Sequence, residues 1–231
     1  MNTRKSNVIS LMLNLTVFII TAYSVAHNFR TDVIRYPQTL NGAKMTDFTG
    51  FLSFRYFTTL SNTFCAIASA ITLIFNVKNV IRDRYEFPKR VLVIKYVAIC
   101  AVALTFITVA LILSPMAAIF GDSYFTMFRG NGFFLHFLIP AISLFNFIFF
   151  EKKPALRFKC VFYALIPTVL YAALYGIMVA GLKEWPDFYS FSPNGNGALL
   201  PLIALSMLIL SFIVSALVFL LRKKVGLNIK P

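Results

Sequence analysis

Long apolar runs alternate with short polar segments along the whole chain. Six runs stand out, at residues 7–27, 51–77, 91–114, 132–150, 160–182 and 198–221. Each falls within or above the ~17–25 residues that a helix needs to cross a hydrocarbon core. Backbone polar groups in lipid must be satisfied inside the segment, so each run is expected to be a helix. The pattern predicts an all-α integral membrane protein, a single bundle of six transmembrane helices that takes up residues 1–231 as one domain. No internal repeat supports an inverted-repeat transporter.

Composition strengthens this reading. The chain is 59% hydrophobic and 13% charged, with a mean hydropathy of +0.78. A soluble domain carries about 25% charged residues. Half that share does not cover a water-soluble surface, which excludes a cytosolic enzyme, a disordered chain and a secreted disulfide scaffold. Cys65, Cys100 and Cys160 lie in or beside apolar runs and offer neither a disulfide framework nor a CxxC spacing.

The net charge of +14 changes the picture only through its placement. Of 22 basic residues, fifteen fall at the N-terminus, in the second and fourth connections and in the tail. Five fall on the other side, and Arg55 and Lys95 fall within apolar runs. This asymmetry predicts both termini in the cytoplasm. The basic residues flank spans and form no separate basic domain, so no nucleic-acid partner is expected. Asp32, Asp47, Asp122, Glu184 and Asp187 fall on the other side, where the connections are long and rich in turn formers.

Polarity inside the spans is costly in lipid and faces the bundle interior. The second run is the most polar. At about 100° per residue, Arg55, Thr58, Thr59, Asn62, Cys65 and Ser69 share one stripe. Interhelical hydrogen bonding alone explains Asn62 and Ser69. In the fourth run His136 follows the turn Arg129-Gly130-Asn131-Gly132, with Pro140 and Ser143 on the same face. If the second and fourth runs both enter from the same side, Thr58 and His136 lie at matched depth in the outer leaflet, where a lipid ester sits. A hydroxyl and an imidazole so placed form a nucleophile–base pair. Arg55, Thr59, Asn62 and Asn131 are the candidates for substrate or oxyanion support. Thr59, beside Thr58, is also a rival nucleophile. His27 and His136 lack carboxylates or thiols nearby, so no metal is expected, and no motif calls for a cofactor. The expected partners are membrane lipids and an acyl-ester substrate. A non-enzymatic lipid or small-molecule transporter or binding protein is the rival, because the same stripe with Arg55 suits an anionic head group.

The stretch Arg55-Tyr56-Phe57-Thr58-Thr59-Leu60 resembles the basic–aromatic–apolar–Thr motif of the androgen-induced-gene/ADTRP family. The His136 region, with Asn131 before it and Pro140 after it, resembles that family's second motif. Trp185-Pro186-Asp187-Phe188 echoes a third, with its Pro-Phe pair interrupted by Asp187. The three run in the family's order, and bacterial membrane proteins carry similar wording. The resemblance implies an intramembrane threonine hydrolase acting on fatty acid esters of hydroxy fatty acids, with Thr58 as nucleophile and His136 as base.

Overall fold

The structure is a computed structural model. It describes residues 3–30, 39–40, 43–44, 50–84, 86–151, 154–189, 191 and 197–227. Asp32, Asp47 and most of the turn-rich connections at 31–49 and 192–196 lie outside the described residues.

Six helices are long and apolar enough to cross a membrane. They are α1 (Thr3–Arg30), α2 (Phe57–Arg82), α3 (Lys89–Ile119), α4 (Asn131–Phe149), α5 (Cys160–Gly181) and α6 (Leu200–Leu227). Side-chain hydrogen bonds fix how they run. Asn7, near the start of α1, donates to the Arg84 carbonyl just past α2. Asn131, at the start of α4, donates to the Ser24 carbonyl and to Asn28 Oδ1 near the end of α1. Glu151, just past α4, and Arg222, late in α6, meet at the first of these ends. The bundle therefore has a basic end, which holds the start of α1 and the last turns of α6, and an opposite end.

Helix α3 is the central element. Leu92, Tyr96, Ala98, Ile99, Val102 and Leu104 are all buried, on every side of the helix. A helix apolar all round has no solvent or lipid face to satisfy. Helix α6 is the reverse: Leu202, Leu205, Ile209, Ile213, Leu217 and Leu220 are exposed as a lipid-facing stripe.

Helices α3, α4 and α5 each contain a π-helical turn towards the opposite end, at Val109–Leu113, Phe134–Leu138 and Ile177–Gly181. The first two come just before Pro115 and Pro140. Proline cannot donate to the carbonyl one turn back, and a widened turn absorbs the missing bond.

The second apolar run differs from the sequence expectation. Residues Gly50–Arg55 form a 3-10 helix, Tyr56 is extended, and α2 begins only at Phe57. Arg55 therefore precedes the span instead of lying within it. Thr58 is the second residue of α2, shallower than the run length suggests.

Candidate functional site

Polar residues of α2 do face inward. Thr59, Ser61, Asn62, Cys65, Ser69, Thr72, Asn76 and Asn79 are all buried. The stripe continues nearly three turns past Ser69, to Asn79.

At the opposite end, α2, α3, α5 and α6 leave a narrow cleft of ≈ 90 Å³. Its walls are apolar: Leu104, Val109 and Leu113 from α3, Ala172 from α5, and Ala204 and Met207 from α6. Thr58, Thr105, Thr108 and Thr168 add hydroxyls, and Tyr171, Tyr175 and Tyr189 add phenols. Ser61 pairs with Thr105 at 2.9 Å and Thr168 with Ser211 at 3.0 Å. The Thr58 hydroxyl has no hydrogen-bond partner among the described residues, and Thr108 Oγ1 is buried without one. A cavity of ~150 Å³ takes benzene, so this narrower cleft suits a slim chain whose entry parts the side chains.

Residues 186–189 and Phe191 roof the cleft. The Phe57 N–H, the first orphan donor of α2, donates to Tyr189 Oη at 3.1 Å. Tyr175 donates to Asp187 Oδ1 at 2.6 Å, and the Phe191 N–H reaches the same oxygen at 2.9 Å. Tyr171 donates to the Arg55 carbonyl at 2.7 Å. Tyr56 and Phe188 rings lie 4.4 Å apart. Burial pushes the Tyr189 phenol up to about 12, so it stays protonated in its latch. Trp185, the next residue outward, lies 6.0 Å from the Arg55 guanidinium, measured to the ring centroid.

His136 sits inside the π-helical turn of α4. Its Nδ1 lies 2.6 Å from the Met127 carbonyl oxygen. A carbonyl only accepts, so Nδ1 carries the proton and Nε2 of the neutral ring holds the lone pair. Nε2 has no hydrogen bond among the described residues. The arrangement depends on Gly132. A Cβ there would lie 2.4 Å from the Met127 oxygen, so any side chain would push the carbonyl away.

Asn62 ties the two candidate helices together. Its Nδ2 donates to the Thr58 carbonyl at 2.8 Å and to the Leu135 carbonyl, one residue before His136, at 3.1 Å. Thr58 and His136 thus sit on neighbouring helices, each one short step from the same amide. No hydrogen bond joins them, and His136 does not line the cleft. Thr59 is 4% exposed and lies outside the cleft lining, so the geometry separates it from Thr58. Asn62 and Asn131 are the residues expected to support the substrate or oxyanion. The Asn62 Nδ2 group donates within α2 to Thr58 and across to Leu135, the Asn131 Nδ2 group donates to Ser24 and Asn28, and neither residue lines the cleft.

A second, wider groove of ≈ 540 Å³ runs between α1 and α2, lined by Phe18, Ala22, Ala26, Thr63, Ala66 and Ile67. It reaches neither Thr58 nor His136. Among the described residues no cluster of His, Cys, Asp and Glu could hold a metal.

Sequence reasoning missed the tyrosine roof, because Tyr189 and Asp187 meet Phe57 and Tyr175 only through the fold. It also missed Glu151, which lies just past the fourth apolar run yet is fully buried. No family model, curated protein or solved structure matches the chain.

Proposed function

We propose that the protein is an intramembrane lipid-ester hydrolase in which Thr58 attacks the acyl carbonyl and His136 takes its proton. The observation that carries this reading is the Thr58 hydroxyl, unpartnered among the described residues at the polar end of an apolar cleft, on a helix that Asn62 pins beside the His136 turn. The acyl chain lies between α3, α5 and α6. Its ester reaches the threonine end under the tyrosine roof. His136 is prepared as a base, with Nδ1–H held by the Met127 carbonyl and Nε2 open. The dyad closes when ligand entry moves the π-helical turn of α4, which brings Nε2 onto Thr58 Oγ1. The alkoxide then attacks, the alcohol leaves with the His136 proton, and water releases the acyl group. The substrate class is a fatty acyl ester such as a fatty acid ester of a hydroxy fatty acid. The basic end faces the cytoplasm, so the cleft opens on the outer leaflet.

The test is turnover of a long-chain acyl ester by the protein in nanodiscs. Thr58→Ala and His136→Ala each abolish it while the folded bundle persists. Hydrolysis retained in both variants contradicts the reading. One observation favours a lipid carrier or binding protein instead: His136 stands apart from the cleft in the resting structure. Lipid flux in proteoliposomes that survives Thr58→Ala would support that second reading.

A further inference from the structure

The basic end holds charge that hydrolysis at the cleft does not use. Lys95 and Glu151 are each 0% exposed, and they do not touch. Asn14 stands between them. Lys95 Nζ donates to Asn14 Oδ1 at 2.7 Å, and Asn14 Nδ2 donates to Glu151 Oε1 at 2.7 Å. The same Nδ2 lies 3.0 Å from Asn76 Oδ1. Lys95 also donates to Ser69 Oγ. Ionisable groups buried among membrane helices are expensive and mark function more often than packing.

The carboxylate is satisfied on one side only. Ser10 Oγ at 3.3 Å, Asn14 Nδ2 and Asn146 Nδ2 at 3.1 Å all donate to Oε1. Glu151 Oε2 is buried and accepts no hydrogen bond among the described residues. Two more buried atoms on side chains of this network share that condition, Asn146 Oδ1 and Asn76 Nδ2. Native structures rarely leave such atoms bare. Their chemistry identifies what would satisfy them. Two accept and one donates, so the occupant must donate twice and accept once. A metal cation cannot accept from an amide N–H, and a simple anion cannot donate to two oxygens. Water does both, and buried waters make about three hydrogen bonds to groups of this kind.

We propose that Glu151, Asn146 and Asn76 hold one buried water, and that Glu151 exchanges protons through it with the aqueous phase at the basic end. Glu151 lies just past the last residue of α4, where Arg222 donates to the carbonyls of Glu151 and Pro154. On uptake a proton leaves a hydronium ion in that phase and bonds to Oε2, and the new O–H donates within the site. On release the carboxylate re-forms and the proton returns to water. The charged groups that face the site are Lys95 from α3 and Arg222 from α6. Among the described residues, helices α1 and α2 bring the neutral Ser10, Asn14 and Asn76 to it. The site is independent of the cleft, so its test does not depend on hydrolysis.

The chain contains three glutamates, Glu86, Glu151 and Glu184. Glu86 and Glu184 are exposed. Glu86→Gln and Glu184→Gln in protein labelled with carbon-13 glutamate therefore leave Glu151 as the sole glutamate reporter with its site intact. Infrared difference spectra of this protein in lipid are recorded between alkaline and mildly acidic buffer. The expected result is a labelled carboxylate band replaced reversibly by a labelled carboxylic-acid band, together with an O–H band that shifts in heavy-oxygen water. A glutamate signal that stays fixed while the protein remains folded overturns the proposal. A glutamate change with no water band overturns it as well.

Discussion

At the basic end, one side-chain oxygen of Glu151 accepts three hydrogen bonds from α1 and α4, Lys95 of α3 connects to it through Asn14, and Arg222 of α6 donates to the Glu151 backbone carbonyl. At the cleft end, Thr58 and Thr108 line an apolar slot with hydroxyls that have no partner among the described residues. Both ends place polar atoms inside a membrane bundle, yet they spend them differently. The basic end joins five helices through side chains that each make at least one hydrogen bond, even where a second atom of the same group, such as Glu151 Oε2 or Asn76 Nδ2, has no partner among the described residues. The cleft end leaves hydroxyls unspent, so removing one costs the fold little and costs a ligand much. The contrast separates groups that hold the bundle from groups held ready for something else.

The largest expected effect sharpens the cleft side. Thr58→Ala is expected to lower ester turnover by at least ~10⁴-fold, the scale set by removal of a nucleophile. The same variant should keep its stability within ~0.5 kcal/mol in denaturant unfolding, because its hydroxyl holds no partner. The basic side should behave in the opposite way. Lys95→Met removes a buried donor from Asn14 and Ser69 and should cost about 1–3 kcal/mol, while acyl-ligand affinity of the folded fraction stays unchanged. A loss below ~0.5 kcal/mol, the usual size for a surface change, would break the comparison.

Smaller effects probe the edges of the cleft. Gly132→Ala should displace the Met127 carbonyl and release His136 Nδ1, with turnover falling within the ~10²–10⁴-fold that a positioned base supplies. Nitrogen NMR of His136 checks the change of tautomer independently. Tyr189→Phe removes the acceptor for the Phe57 N–H and should cost about 1 kcal/mol, seen as roughly fivefold faster amide exchange at Phe57. The latch should also respond to pH. The folded Tyr189 phenol is raised to about 12 by burial, above its ordinary value of ~10. Its contribution is therefore complete below pH ~10 and fades as pH rises through about 12.

The six helices were legible because a span is a local property, set by twenty or so consecutive apolar residues. The start of α2 was not. Gly50–Arg55 is as apolar as the helix that follows, and only the Tyr189 side chain, 132 residues later, marks Phe57 as the first turn. Thr58 stood out because a hydroxyl in a polar stripe is visible from periodicity. Its separation from Thr59 was not, since adjacent residues differ only in which helix they face. The sequence marked Asn62 and Asn131 as polar but could not name their partners, because Leu135, Ser24 and Asn28 lie on other helices. Glu151 was missed for a similar reason: a charged residue past an apolar run looks solvated until α1 and α6 close over it.

An activated Thr58 hydroxyl is what the proposed hydrolysis needs above all, and mapping a fluorophosphonate adduct probes that activation at the residue itself. The purified protein is labelled in lipid, digested and analysed by mass spectrometry, beside His136→Ala. The account predicts an adduct on Thr58 in the parent protein and none in the variant. An adduct on Thr59 or elsewhere, or one on Thr58 that persists without His136, would contradict it.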